Sequence, residues 1–148
     1  MNESSLVSRS AEETFAYGAA LAATLSPGTV VGLIGSLGAG KTVMIKGMCL
    51  GLGYDGIVTS PTFSLINIYS GKAEIYHFDC YRLDGVGDLE DLGYEEFFFS
   101  GRGICLVEWA DRVADALPDD IVVIRLDIVA ENERKITIST LEGASLAF

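Results

Sequence analysis

The feature of this sequence that most restricts its fold is a glycine-rich octapeptide, Gly35-Ser36-Leu37-Gly38-Ala39-Gly40-Lys41-Thr42, of the form G-x-x-x-x-G-K-[ST]. An apolar run at residues 29–34 has the composition of a buried strand, and a helix-compatible run follows at 41–52. In a strand–loop–helix unit of this kind, backbone N–H groups and the helix dipole face phosphate oxygens. Lys41 should reach the β- and γ-phosphates, and the Thr42 hydroxyl should coordinate Mg²⁺. The octapeptide therefore predicts a site for a nucleoside triphosphate with Mg²⁺.

The runs around this unit predict one α/β domain over residues 1–148. Ser10 and Glu13 form a capping box at the start of an amphipathic helix at 11–25. Further strands are predicted at 57–60, 63–69, 73–79 and 103–108, short helical pieces within 88–99, a helix at 110–116, and a closing hairpin of 121–128 and 135–139. This order predicts a P-loop NTPase-like fold with a mixed, mostly parallel sheet flanked by helices and a C-terminal hairpin.

Composition excludes several other classes of protein. The 21 acidic and 10 basic residues give a net charge of −11, so tight direct binding of tRNA or other nucleic acid is not expected. Three scattered cysteines and a single histidine argue against a structural zinc site and indicate reduced, buried thiols. There is no apolar run of about 18–20 residues and no secretion signal, so we expect a cytoplasmic protein without membrane association.

Two predicted strands end in carboxylates, Asp79 and Glu108. Ligands in open α/β sheets lie beyond the carboxyl ends of the parallel strands, beside the phosphate loop, so both acids are candidates to face Mg²⁺ and the γ-phosphate. The alternative for either residue is a helix cap or a position on the surface. P-loop enzymes usually place an aspartate at the end of the second strand, and a glutamate in that role is a departure.

Three other residues near these strands have two interpretations each. Thr62, after Ser60 and Pro61, is either part of a switch-like loop that senses the γ-phosphate or a turn residue. Trp109 is either a packed aromatic or a ligand contact. His77 alternates with Asp79 and so shares its face of the strand, and a structural role is the favoured interpretation.

Several segments resemble one known family over the whole chain, in order. They are GSLGAGKT at 35–42, SPTF at 60–63, YHFDCYRL at 76–83, LEDLG at 89–93 and VEW at 107–109. Together they resemble the TsaE family, the bacterial ATPase component of tRNA threonylcarbamoyladenosine biosynthesis. Cys80, at a position where the family usually has leucine, and Ala110, where it usually has proline, depart from the family pattern.

The resemblance implies roles for individual residues. Thr42 and Glu108 would hold Mg²⁺, Asp79 would be the acid nearest the reacting phosphate, and Thr62 would belong to a switch-like loop. Thr14, Trp109 and Arg134 would contact the nucleotide, the first and last on its base or ribose side.

The resemblance also implies a cellular role. The ATPase would act on the threonylcarbamoyl-transferase complex, through TsaD-type and TsaB-type subunits, during modification of tRNA next to the anticodon. ATP hydrolysis would drive turnover or resetting of that complex and not the transfer itself. It would be slow in the isolated protein and faster with the complex.

Two other functions remain open on the residues alone. One is a small-molecule P-loop kinase, although the arginine-containing segment 81–102 that would have to form its lid is strongly acidic. The other is a nucleotide sensor that does not hydrolyse ATP. A GTPase is disfavoured because the sequence has no [NT]-K-x-D element for guanine recognition.

Overall fold

The computed structural model describes residues 2–61, 65–83 and 85–140, and a seven-stranded sheet forms the centre of this part. The strands are β1 Asn2–Ser8, β2 Val30–Ile34, β3 Ile66–Ser70, β4 Glu74–Asp79, β5 Gly103–Glu108, β6 Val122–Ala130 and β7 Glu133–Thr140. The helices are α1 Ala11–Ala22, α2 Lys41–Gly51, α3 Gly87–Glu90, α4 Glu95–Phe98 and a 3-10 helix at Ala110–Ala116. Within the described residues, no helix has both the length and the apolar character required to cross a membrane.

The strand order is β1-β7-β6-β2-β5-β4-β3. The four central strands β6, β2, β5 and β4 run parallel to one another. The hairpin partners β3 and β7 run antiparallel to them, and β1 pairs antiparallel with β7, so β1 again has the direction of the central strands. The predicted mixed, mostly parallel sheet with a C-terminal hairpin is confirmed.

Helices cover both faces of the sheet, as the unbroken apolar composition of β2 requires. On one face Val31 and Leu33 pack in a cluster with Met44 and Ile45 of α2. On the other face the cluster contains Val30 and Ile34 together with side chains of α3, α4 and the 3-10 helix, namely Leu89, Phe98 and Val113. The loop from β2 to α2 therefore begins at the end of a fully buried central strand.

The helices α1 and α2 approach each other through glycines. A Cβ atom at Gly47 would lie 2.0 Å from the Phe15 carbonyl oxygen, and one at Gly51 would lie 2.2 Å from that of Ala19. Gly18 of α1 faces the Met44 carbonyl in the same way, at 2.4 Å. This contact allows no side chain at these positions, and it fixes α1 beside the start of α2.

Two segments differ from the prediction. Residues 57–60 were expected to form a strand, but they are irregular and Ile57 is 83% exposed. The Thr59 carbonyl accepts hydrogen bonds from the Asn67 side chain at 3.0 Å and the Tyr69 hydroxyl at 3.1 Å, so side chains of β3 take the place of a paired strand.

The second difference is β1, which was not predicted. Its serine-rich sequence carries little strand propensity, and β1 forms because it pairs with β7 from Asn2↔Thr140 to Ser8↔Arg134.

Candidate functional site

The loop between β2 and α2 depends on its glycines. Gly38 and Gly40 have φ angles of 80° and 103°, in the left-handed region that favours glycine. A Cβ atom at Gly35 would lie 2.7 Å from the Leu126 carbonyl oxygen of β6. Gly40 is the N-cap of α2 and has no side chain to cap it, so the first N–H groups of the helix remain available to an anion.

Lys41, the first residue of α2, is buried beneath this loop. Its ammonium group donates hydrogen bonds to the Gly35 carbonyl and, at 2.9 Å, to the Ser36 carbonyl. It also lies 4.2 Å from the centroid of the Trp109 ring. Burial lowers the pKa of Lys41 from its usual value, while the carboxylates of Glu108 and Asp79 oppose that shift. The lysine is thus held by backbone carbonyls at the site predicted for phosphate.

Asp79 and Glu108 lie side by side at the ends of β4 and β5, where they are partners in the parallel register. Glu108 is 3% exposed, whereas Asp79 is half-buried and accepts a hydrogen bond from the Tyr81 backbone N–H at 3.0 Å. Burial raises the pKa of Asp79 above its usual value, the Tyr81 N–H opposes this, and the neighbouring Glu108 adds to it. The two carboxylates predicted from the strand ends therefore meet in the structure.

Oxygen atoms from three elements converge next to these acids. The Thr42 hydroxyl donates to Glu108 Oε1 at 3.4 Å, and the Ser60 hydroxyl lies 3.5 Å from Thr42 Oγ1. Among the described residues, no group of three or more His, Cys, Asp or Glu side chains is placed to bind a metal ion. One hydroxyl and one carboxylate nevertheless fit Mg²⁺, which takes one or two protein oxygens and completes its shell with phosphate oxygens and water.

Two adjoining clefts share the loop residues 38–40 and Val43. The first, of about 190 Å³, lies on the α1 side and includes Thr14, Asn132 and Arg134. The second, of about 360 Å³, includes Lys41, Thr42, Asp79, Glu108 and Trp109. The second cleft exceeds the lower limit of about 300 Å³ for small-molecule sites.

The first cleft is held together by polar contacts across three elements. Thr14 is 3% exposed, and its hydroxyl lies 2.7 Å from the Ser8 hydroxyl at the end of β1. The Arg134 guanidinium donates to the Gly38 carbonyl at 3.2 Å and to three carbonyls of the β6–β7 turn. Arg134 therefore ties the phosphate loop to the C-terminal hairpin.

Trp109 forms one wall of the second cleft. It adopts a left-handed backbone conformation, with φ of 57°, at the start of the 3-10 helix. The Tyr81 ring lies 4.8 Å away, centroid to centroid, and the Arg112 guanidinium lies 5.6 Å from the Trp109 centroid. The aromatic residue is thus both packed and exposed to the cleft, so the two interpretations of Trp109 are compatible.

Some residues at the site were not singled out from the sequence, and one candidate is not described. Ser60 and Tyr81 line the second cleft because chain segments far apart in sequence meet there, and Arg112 lies beside Trp109. His77 contacts Glu108, with Nε2 and Oε2 2.8 Å apart, and its alternation with Asp79 was the available signal. Thr62, predicted as a switch or turn residue, lies outside the described residues.

Comparison with known proteins gives concordant matches. The model of the family described as threonylcarbamoyl adenosine biosynthesis protein TsaE matches residues 8–136. The tRNA threonylcarbamoyladenosine biosynthesis protein TsaE of Treponema pallidum is 44% identical over 133 residues, covering 90% of this chain and 98% of that protein. The protein of the same name from Bacillus subtilis is 44% identical over 131 residues, covering 88% of this chain and 81% of that protein.

A solved structure agrees with the sequence matches. The crystal structure of Bacillus subtilis YdiB superimposes with a TM-score of 0.80 at 35% sequence identity, covering 97% of this chain and 89% of that one. The structural agreement therefore extends over nearly the whole length of this chain.

Proposed function

The chain belongs to the TsaE family, and from this premise we propose that it binds and hydrolyses ATP with Mg²⁺ in support of tRNA threonylcarbamoyladenosine biosynthesis. The observation that carries the proposal is the position of Asp79 and Glu108, which face Lys41 and Thr42 across one cleft. A loop that only bound phosphate would not require paired carboxylates at the ends of two neighbouring strands. Hydrolysis can use both acids, one to hold the metal and the other to orient the attacking water.

Each group has a distinct task in this proposal. Lys41 leaves the loop carbonyls to pair with the β- and γ-phosphates, and its positive charge offsets the charge that develops on the transferred phosphoryl group. Thr42 and Glu108 would hold Mg²⁺, and the ion would supply positive charge that neutralises part of the phosphate charge. Asp79 accepts a hydrogen bond from the attacking water and directs it at the γ-phosphorus. A carboxylate with a raised pKa is suited to that role.

In this proposal the nucleotide's base and ribose occupy the cleft that is lined by Thr14 and Arg134, next to the phosphate loop. Adenine is favoured over guanine because the sequence lacks the [NT]-K-x-D element. A small-molecule kinase is disfavoured because the segment expected to carry its lid, residues 81–102, is strongly acidic.

The partner in this proposal is the threonylcarbamoyl-transferase complex with its TsaD-type and TsaB-type subunits, and not tRNA itself. The names of the relatives place those proteins in threonylcarbamoyladenosine biosynthesis. A net charge of −11 is compatible with action through protein partners and disfavours tight binding of the nucleic-acid backbone. The ATPase reaction is slow in the isolated protein and accelerates with the complex.

The test measures ATP binding by calorimetry. It also measures phosphate release with and without the TsaD-type and TsaB-type subunits. We expect Lys41→Ala to weaken MgATP binding by about 10- to 100-fold, because it removes charged hydrogen bonds to phosphate. Asp79→Ala should still bind MgATP but lose about 100-fold or more in hydrolysis with the complex. Lys46→Ala, at an exposed position of the same helix, is the matched control and should keep both MgATP binding and hydrolysis.

The outcomes separate the alternatives. Absence of saturable MgATP binding at millimolar concentration would contradict the nucleotide site. Hydrolysis by Asp79→Ala at the wild-type rate would contradict the role of Asp79. Saturable binding without phosphate release, even with the complex, would identify a nucleotide sensor, and stoichiometric phosphorylation of a metabolite would identify a kinase.

A further inference from the structure

His77 is the single histidine of the chain, and it is completely buried on β4. Its Nε2 atom lies 2.8 Å from Oε2 of Glu108, while the other oxygen of that carboxylate, Oε1, accepts the Thr42 hydroxyl hydrogen bond at 3.4 Å. One oxygen of the Glu108 carboxylate therefore contacts a residue of the sheet, and the other contacts a residue of α2.

The register of the sheet produces this contact. Asp79 is paired with Glu108 and His77 with Leu106, so His77 lies one step deeper in the sheet than the strand-end acids. Side chains two residues apart on a strand lie on the same face of the sheet. His77 therefore shares a face with Ile75, and Glu108 shares it with Leu106. The apolar cluster that contains Ile75 and Leu106 packs against α2. Glu108 thus extends over His77 towards the start of α2.

Packing alone does not account for a histidine at this position. The neighbours on the same face, Ile75 and Leu106, are apolar and fully buried. A polar ring in such surroundings costs free energy unless it is hydrogen-bonded, and an apolar residue of similar volume would avoid that cost. Among the described residues the hydrogen bond of the His77 ring is to Glu108, so the ring has its polar partner on the candidate metal ligand.

The contact also assigns the tautomer of the ring. An ionised carboxylate can only accept a hydrogen bond, so Nε2 must carry the proton that lies between them. The Nδ1 atom is buried and has no hydrogen-bond partner among the described residues. A proton there would be a buried donor without an acceptor, so of the two ring nitrogens Nε2 is the one that donates to Glu108.

We infer that His77 is a positioning residue, which fixes Glu108 Oε2 through its Nε2–H so that Oε1 is presented beside Thr42 to Mg²⁺. This inference rests on the proposed function, because it assigns a task to a residue behind the same metal site. Hydrogen-bond partners of metal ligands orient them, and their loss typically lowers metal affinity by about 10- to 100-fold.

The test compares the wild type with His77→Leu, His77→Gln and Ile75→Val. Binding of a non-hydrolysable ATP analogue is titrated calorimetrically at a series of Mg²⁺ concentrations and in EDTA. Mg²⁺ should raise the affinity for the analogue, and the Mg²⁺ concentration that gives half of this increase is the quantity compared. We expect this concentration to be about 10- to 100-fold higher for His77→Leu than for the wild type. The affinity measured in EDTA should be unchanged. His77→Gln should restore the wild-type Mg²⁺ dependence, because its amide N–H can occupy the place of Nε2–H.

Ile75→Val is the control for packing, because it changes a buried residue on the same face of the same strand without removing a hydrogen bond. It should leave the Mg²⁺ dependence at the wild-type value. Equal Mg²⁺ dependence in the wild type and His77→Leu would overturn the inference while leaving the proposed function intact. An equal loss in His77→Leu and His77→Gln would also overturn it, because the ring would then act through its shape.

A second measurement does not depend on any variant folding. Because the chain has one histidine, the imidazole ¹⁵N spectrum of the nucleotide-free wild type contains the signals of His77 alone. We expect Nε2 to give the signal of a protonated nitrogen, and a ring that carries its proton at Nδ1 and none at Nε2 would overturn the inference. Failure of the wild type to bind the ATP analogue at any Mg²⁺ concentration would instead contradict the proposed function.

Discussion

Asp79 has an environment that opposes its own charge. It is half-buried at the end of β4, its register partner is the carboxylate Glu108, and burial raises its pKa above the usual value. Between the pKa of the unfolded chain and the higher pKa of the folded protein, the folded state binds more protons than the unfolded state. The free energy of unfolding attributable to Asp79 therefore falls as the pH rises through that interval.

The corresponding prediction concerns Asp79→Asn in the nucleotide-free protein. The amide removes the buried charge, so we expect the variant to have a higher midpoint of thermal unfolding than the wild type at neutral pH. The difference should shrink as the pH falls towards 3.8, where the unfolded carboxyl also becomes protonated. Thermal unfolding followed by circular dichroism over a pH series measures this effect.

Asp55→Asn provides the comparison, since it changes an exposed carboxylate in the same way. It should leave the midpoint close to that of the wild type at neutral pH. A midpoint of Asp79→Asn at or below the wild-type value would show that the charge of Asp79 is not a source of instability.

The site could be predicted where its residues belong to contiguous segments. The loop at residues 35–42 carries its own spacing, and Asp79 and Glu108 each end an apolar run. The contact of His77 with Glu108 could not be derived, because it depends on the register between β4 and β5. The link from Arg134 to Gly38 likewise depends on the position of the C-terminal hairpin.

At the scale of helices and strands, local patterns predicted the elements whose stability is encoded locally. The helix α1 begins at its capping box, where Ser10 accepts a hydrogen bond from the Glu13 N–H at 3.0 Å. Strand propensity gave the wrong prediction at two other segments. Residues 57–60 have strand composition without a strand partner, and β1 has a strand partner without strand composition.

The glycine contact between α1 and α2 leads to a prediction about Gly47→Ala. The added Cβ would lie 2.0 Å from the Phe15 carbonyl oxygen, so the two helices must move apart. We expect the free energy of unfolding to fall by about 1–3 kcal/mol, the usual cost of overpacking. Urea unfolding monitored by circular dichroism would measure the change.

The matched control is Gly87→Ala, an exposed helical glycine with no atom within 4 Å of the added Cβ. It should be neutral or stabilising, by up to about 1 kcal/mol, because alanine has the higher helix propensity. If Gly47→Ala unfolded at the same urea concentration as the wild type, the close approach of α1 and α2 would be wrong.

At the scale of the whole molecule, charge distinguishes the proposed partner from the RNA that the pathway modifies. Proteins that bind nucleic acid through phosphates release counterions, and their affinity falls steeply with salt. The net charge of −11 leads us to expect no saturable binding of tRNA by the isolated protein at about 0.15 M salt. Filter binding with labelled tRNA measures this, with MgATP binding of the same sample as the check on folding. Saturation at micromolar protein would contradict the expectation.

The strand order has a consequence for how the protein is made. The first strand has its sheet partner in the last one, since Ser8 pairs with Arg134 and β7 separates β1 from β6. Since β1 is translated before β7, the two strands cannot pair until more than a hundred intervening residues have been translated. The cleft lined by Thr14, whose hydroxyl contacts Ser8, and by Arg134 is therefore completed only after residues 133–140 leave the exit tunnel.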